Sequence, residues 1–280
     1  MAIWLLLLAM LVPLAPSLPN TGTASPVQVY VRAAPATPSI KARAALVIDL
    51  DAKSDVFQLN AHARLAPASL TKIVTALVAL DAMRLDQLVT VPASINQLPW
   101  DSTRMGLKVG ERLTVRELLY GLFLNSGNDA AITLAEAVTS RATFVDRMNR
   151  QAAALGMADT HFVNPIGLDD PAHFTSAADL ARAATLLTSR YPEVASLAST
   201  ARITLAATAT HHAYALYNLN DLLRSYPGTT GLKTGWTGHA GGCLIATATR
   251  GGRHLMVVVL GSPRVFQEAS ALLDYGFDLV

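Results

Sequence analysis

Pro67-Ala68-Ser69-Leu70-Thr71-Lys72-Ile73-Val74-Thr75-Ala76-Leu77-Val78-Ala79-Leu80 sets the architecture of the chain. Leu70, Ile73, Val74, Leu77, Val78 and Leu80 recur at helical spacing, which predicts a helix from Ser69 to about Arg84. The Ile73–Leu80 part is apolar almost all round, and a helix of that kind belongs inside a domain rather than on its surface. Ser69 and Lys72 then stand at its amino end on one face, close enough for the amine to reach the hydroxyl. The Ser69 amide, at the positive end of the helix, suits a developing oxyanion.

On the amino-terminal side, Ala44–Asp51 has the aliphatic character of a buried strand. It pairs in a hairpin with Val56–Leu59 through Asp51-Ala52-Lys53-Ser54. On the other side helices dominate. Thr114-Val115-Arg116-Glu117 is a capping box that starts a helix running to about Leu124. Asn125-Ser126-Gly127-Asn128 interrupts the pattern before a helix over Ala130–Val138. Further helices are expected over Ala142–Leu155, ended by Gly156, and over Ser176–Ser189, capped by Ser176. Strands return at Ile203–Ala206, Leu244–Thr249 and Leu255–Leu260, and a helix over Val265–Tyr275 follows. The fold class is therefore α+β: an antiparallel sheet assembled from N- and C-terminal strands, with flanking helices and a helical lobe, about 69–190, inserted between them.

The bulk properties exclude several function classes. The chain has 280 residues, 51% of them hydrophobic and 15% charged, and its net charge is +2. With no basic run and no aromatic residues interleaved among cations, no nucleic-acid partner is expected. Seven dispersed histidines, with His211-His212 the one adjacent pair, give no metal-binding pattern, so no metal or cofactor is expected. The single cysteine, Cys243, excludes an internal disulfide. Trp4–Pro16 is apolar but shorter than the roughly 20 residues that span a bilayer. Residues 1–24 read as an export signal cleaved after Ala24, a retained anchor being the alternative, although no Lys or Arg precedes the run. Residues 25–41 read as an extended lead-in rich in Pro, Ala and Val, and 42–280 as one catalytic domain.

Three short motifs carry the chemistry: Ser69-Leu70-Thr71-Lys72, Ser126-Gly127-Asn128 and Lys233-Thr234-Gly235. Singly, each recurs by chance. Together and in this order they match the S-x-x-K, S-D-N and K-T-G signature of penicillin-binding proteins and class A β-lactamases, with Gly127 in the Asp place. A serine hydroxyl needs a base to become nucleophilic. A lysine buried beside a second cation, here Lys233, can have its pKa lowered enough to be that base. Ser126 can relay a proton and Asn128 can hold a substrate peptide bond. Lys233, expected to open a strand, offers with Thr234 an ammonium and a hydroxyl to a carboxylate, and Gly235 leaves room for close backbone approach.

The segment Pro67–Leu77 resembles the active-serine region of the D-alanyl-D-alanine carboxypeptidases, the low-molecular-mass penicillin-binding proteins. So do Leu118-Leu119-Tyr120-Gly121-Leu122 with Ser126–Ala131, Phe162–Leu168 with His173, and Gly231–Thr237 with Ala240-Gly241. The resemblance runs from about Ala44 to the C-terminus. It implies a β-lactamase/DD-peptidase-like fold and a peptidoglycan stem peptide ending in D-Ala-D-Ala as substrate, with β-lactam antibiotics as covalent inhibitors. It implies Ser69 as the acylated nucleophile, Lys72 as base and Ser126 as relay. Asn128, Lys233, Thr234, Gly235, Trp236, Thr237 and Arg264 are implied to be substrate-binding, with the Ser69 and Trp236 amides as the oxyanion hole. His173 is expected to make a structural hydrogen bond.

The alternatives are cross-link endopeptidase or transpeptidase activity, β-lactamase activity, or a non-catalytic peptidoglycan-binding relic. A class A β-lactamase needs a glutamate between the second and third motifs, and no Glu occurs from Ala137 to Pro192. The larger family members carry a further β-rich domain and an amphipathic anchor beyond the catalytic domain. Neither follows Phe277 in this sequence, so no C-terminal membrane anchor is expected and the chain is expected to be exported to the periplasm or cell exterior.

Overall fold

A computed structural model describes residues 35–280; the expected export signal and most of the lead-in lie outside the described residues. The chain opens with β1 (Ala44–Asp49) and β2 (Ser54–Leu59). Helices α1 (Lys72–Ala82), α2 (Val115–Phe123), α3 (Asn128–Val138), α4 (Arg141–Ala154), α5 (Ala177–Arg190) and α6 (Pro192–Ala198) fill the middle. Short strands β3 (Leu88–Thr90) and β4 (Arg112–Thr114) pair with each other, as do β5 (Arg202–Leu205) and β6 (Tyr214–Tyr217). After α7 (Leu222–Ser225) come β7 (Thr229–Thr237), β8 (Gly241–Arg250), β9 (Arg253–Ser262) and α8 (Val265–Leu279).

The main sheet has the order β2-β1-β9-β8-β7, and every neighbouring pair is antiparallel. The first two strands therefore dock beside the last, as the sequence predicts. Both faces of the sheet are covered. Met256, Val258 and Leu260 point into the larger core with α1, while Leu255, Val257 and Val259 point into a second core closed by Ala269, Leu272 and Leu273 of α8. This explains why the strand reads as a continuous apolar run and not as an alternation. No described helix is long and apolar enough to cross a membrane.

Helix α1 is buried along Lys72–Leu80, and the charge of Asp81 marks where it reaches the surface. The capping box at Thr114 forms with both reciprocal bonds, Glu117 N to Thr114 Oγ1 at 3.2 Å and Thr114 N to Glu117 Oε2 at 2.8 Å. Ser176 caps α5 by accepting from the Asp179 amide.

Two boundaries differ from expectation in ways that matter for the site. The predicted helix does not begin at Ser69: Ala68–Thr71 form a separate 3-10 turn, and the α-helix starts at Lys72. Lys233 does not open a strand but lies near the middle of β7, whose pairing begins at Thr229.

Candidate active site

The three motifs converge. Ser69 sits in the 3-10 turn, after Ala68 with its left-handed φ of +48°. Lys72, on the first turn of α1, is wholly buried, and its Nζ lies 2.7 Å from Ser69 Oγ and 2.8 Å from the Ile166 carbonyl. Burial holds the Lys72 ammonium well below the usual lysine range, the neighbouring Lys233 lowers it further, and Asp129 opposes the shift. Lys233 is also wholly buried, donates to the Thr234 carbonyl at 2.8 Å, and is pushed down to about 7 by burial. Two desolvated lysines that act on each other, one of them at the Ser69 hydroxyl, can stand in different protonation states although they are the same residue type.

Strand β7 is an edge strand, bonded to β8 on one side, so it carries backbone groups that a peptide can pair with. Gly235 lies against the serine turn: a Cβ placed there would stand 3.0 Å from the Ser69 amide nitrogen and 3.1 Å from Ala68 Cβ. The absence of a side chain at Gly235 is therefore what lets the strand approach Ser69.

Ser126 occupies the turn between α2 and α3 with φ +55°, a conformation that disfavours any residue with a Cβ. Gly127 N, bonded at 2.9 Å to the Gly121 carbonyl, helps hold it. Asn128 is buried and its Oδ1 has no hydrogen-bond partner, so an acceptor stands ready in a place where polar groups are normally paired.

The loop between Val163 and His173 closes the other side of the serine turn. Thr75 Oγ1 donates to the Pro165 carbonyl at 2.6 Å, and Gly167 lies so close to the Ala68 carbonyl that no side chain fits there. His173 Nδ1 accepts from the Val163 amide at 3.1 Å, which leaves Nε2 to donate to Thr71 Oγ1 at 2.8 Å. Thr71 in turn donates to the Ala68 carbonyl at 2.9 Å. The structural hydrogen bond expected of His173 is thus one link in a chain ending next to Ser69.

The remaining residues named from sequence are spread along the end of the sheet. Trp236 is 73% exposed on β7. The Thr237 hydroxyl donates to Asp169 at 2.7 Å and accepts from the Ala240 amide, tying the strand to the 163–173 loop. Arg264 is exposed just before α8; Ser262 pairs with Gly242, which pairs with Trp236, so Arg264 leaves the sheet at the same end. The His211-His212 pair meets carboxylates distant in sequence, with His212 Nδ1 2.5 Å from Glu111 and His211 Nε2 3.4 Å from Glu117. Among the described residues no group of three or more His, Cys, Asp or Glu is placed to hold a metal ion. Sequence reasoning passed over two residues that the fold brings in: Asp129, the carboxylate acting on Lys72, and Asp169, the partner of Thr237. Asp129 lies inside the quoted Ser126–Ala131 segment but carried no role there, and Asp169 stands in no motif.

The chain belongs to the D-alanyl-D-alanine carboxypeptidase family, whose sequence model matches residues 31–264. It is 35% identical over 244 residues to the D-alanyl-D-alanine carboxypeptidase DacF of Bacillus subtilis, covering 85% of this chain and 62% of that protein. It is 36% identical over 245 residues to DacB2 of Mycobacterium tuberculosis, covering 84% and 81%. The chain thus spans about three fifths of the length of the Bacillus relative. The crystal structure of the Streptomyces K15 DD-transpeptidase superposes with a TM-score of 0.78 at 31% identity, covering 86% of this chain and 99% of that one. A penicillin-binding protein homologue from Mycobacterium tuberculosis gives 0.81 at 32% identity, covering 89% and 95%. The fold is that of the DD-peptidases.

Proposed function

We propose that this chain is a serine-type D-Ala-D-Ala carboxypeptidase, which removes the terminal D-alanine from peptidoglycan stem peptides through an acyl-enzyme on Ser69. The observation that carries the reading is a fully buried, desolvated lysine nitrogen 2.7 Å from a serine oxygen. Lys72 takes the Ser69 proton as the oxygen attacks the carbonyl of the penultimate D-alanine. The tetrahedral oxyanion is held by the Ser69 and Trp236 amides. Ser126 passes a proton to the departing D-alanine nitrogen, and Asn128 Oδ1 accepts from the substrate's peptide N–H. Water then cleaves the ester and restores the serine.

Specificity for a free C-terminus follows from charge. Lys233 with Thr234, and Arg264 at the same end of the sheet, supply cations and a hydroxyl for the terminal carboxylate. Gly235 admits the substrate backbone alongside β7. Thr237 acts at the end of the strand, through its bond to Asp169. β-Lactams acylate the same serine, and with no glutamate from Ala137 to Pro192 to drive deacylation the adduct is long-lived. In this reading 1–24 is an export signal, 25–41 a lead-in and 42–280 the catalytic domain, which places the enzyme outside the cytoplasmic membrane, at the wall.

DD-transpeptidation is the second reading, favoured by the likeness to the Streptomyces K15 enzyme. The test is intact-protein mass spectrometry after incubation with benzylpenicillin, together with amino-acid analysis of a peptide ending in D-Ala-D-Ala, with and without a glycine acceptor. One penicilloyl group on Ser69 and free D-alanine support the carboxypeptidase. Acceptor-linked product in place of hydrolysis supports the transpeptidase, and rapid repeated turnover of penicillin refutes both.

A further inference from the structure

The Ser126-Gly127-Asn128 turn is not held by its own sequence. Across from it runs Thr103–Leu107, and a dense set of bonds joins the two. Thr103 Oγ1 donates to the Ser126 carbonyl at 2.9 Å, and the Asn128 amide donates to the Thr103 carbonyl at 2.9 Å. The buried Asp129 carboxylate then accepts from three consecutive amides: Met105 on Oδ1 at 2.8 Å, and Gly106 and Leu107 on Oδ2 at 2.8 and 3.0 Å. The Ala130 amide adds a fourth bond, to Oδ1 at 2.9 Å. Gly106, at φ +100°, provides the left-handed residue that turns successive N–H groups toward one anion. The far side of the strap is fixed too, since the Arg104 guanidinium donates to the carbonyls of Ile95, Leu98 and Pro99.

This arrangement also accounts for Gly127. A Cβ there would stand 2.8 Å from Asp129 Oδ1, 3.0 Å from the Met105 nitrogen and 3.2 Å from the Gly121 carbonyl. The acid that other proteins carry in the middle of this motif has no room here, and the carboxylate two places later occupies the junction instead.

We propose that Asp129 is a positioning residue for acyl transfer: its carboxylate latches the Thr103–Leu107 strap onto the Ser126–Asn128 turn and so fixes where the Ser126 hydroxyl and the Asn128 carboxamide stand. The proposal rests on the reading of Ser126 and Asn128 as parts of the reaction. Asn at position 129 keeps the size of the side chain but turns one acceptor oxygen into a donor facing amide donors, which the latch cannot accommodate.

The test uses the full chain with two readouts. In Asp129→Asn, amide hydrogen exchange should quicken together in the segments 103–107 and 126–128. The second-order rate of acylation by benzylpenicillin should fall about 30-fold in the otherwise native protein, and less than about threefold in a background already carrying Ser126→Ala and Asn128→Ala. A residue with only a structural role would cost the same in both backgrounds. Should Asp129→Asn not fold, Thr103→Val, at an exposed position whose side chain touches the turn through one hydroxyl, should still quicken exchange at 126–128 and slow acylation about threefold to tenfold. Unchanged exchange at 126–128 while the strap opens, or an additive rate loss, overturns the latch. Exchange reads the latch whatever Ser69 does, whereas a native chain that penicillin never labels overturns the proposed function.

Discussion

Lys72 Nζ stands 2.7 Å from Ser69 Oγ and 2.8 Å from the Ile166 carbonyl, so the nitrogen is held between the serine hydroxyl and a fixed acceptor. The carbonyl orients the amine without neutralising it, and burial lowers its proton affinity. A guanidinium at the same place keeps its proton at every accessible pH. Lys72→Arg should therefore lower the rate of Ser69 acylation by about 10²–10⁴-fold, the range a general base contributes, with the circular dichroism spectrum unchanged. Stopped-flow labelling with a fluorescent penicillin measures this. A loss under tenfold would mean that Lys72 is not the base.

In the proposed mechanism the two lysines are needed in opposite states, which sets the pH profile. Acylation requires neutral Lys72, so kcat/KM rises as pH climbs through the lowered Lys72 value. Gripping a carboxylate requires protonated Lys233, whose value in the free protein is about 7, so kcat/KM falls as pH climbs through it. The expected profile for a peptide ending in D-Ala-D-Ala is a bell, its descending limb owed to loss of the Lys233 proton. An ester substrate lacking the terminal carboxylate should lose that limb. If both substrates share the same descending limb, it does not belong to the carboxylate grip.

The same burial makes Lys233 costly to the fold. A lysine with a lowered folded-state value binds fewer protons folded than unfolded, so stability rises with pH between the folded value and the unfolded one. For Lys233 that window runs from about 7 to 10.5. Lys233→Met removes the penalty and should raise Tm at pH 7 by roughly 5–10 °C while abolishing activity on D-Ala-D-Ala peptides. The gain should shrink as pH rises toward 10.5. Scanning calorimetry of both proteins at pH 7 and pH 9.5 decides the point, and a Tm gain independent of pH would assign it to packing.

Much of this was legible in the sequence because the signals were local. The all-round apolar character of Ile73–Leu80 placed α1 in the core, and Thr114 with Glu117 marked the start of α2. The doubly buried strand Leu255–Leu260 announced itself as an unbroken aliphatic run, though its pairing extends to Arg253 and Ser262. What escaped was built from distant or backbone groups. Strands β3 and β4, at three residues each, are too short to show a period. Asp129 has as partners four main-chain amides, three of them 22 to 24 residues upstream, and main-chain donors leave no mark in a sequence. The 3-10 turn at Ser69 depends on left-handed Ala68, whose carbonyl is fixed by Thr71 and crowded by Gly167. Propensity alone favoured continuing the helix there.

The hydrogen-bond chain from Val163 through His173 and Thr71 to Ala68 gives a last prediction, because it works in one protonation state only. The Val163 amide donates to Nδ1, so this nitrogen must be unprotonated, and burial pushes the imidazole down to about 4. His173→Phe should keep the edge-on packing against Phe162 but leave the Val163 amide without its acceptor, costing about 1–3 kcal/mol. The Thr71 hydroxyl, no longer oriented by Nε2, should hold the Ala68 carbonyl less rigidly and slow Ser69 acylation several-fold. The sign of the pH effect follows from linkage: between 6.5 and about 4 the unfolded chain takes up a proton that folded His173 refuses, so native stability falls as pH drops through that window. The variant lacks this slope, and its deficit relative to the native chain should therefore be largest above pH 6.5 and shrink toward pH 4. Urea denaturation at pH 7.5, 5.5 and 4.5 measures the difference. A deficit constant across the three would show that folded His173 takes up its proton as readily as the unfolded chain does, and the directed chain to Ala68 would have to be abandoned.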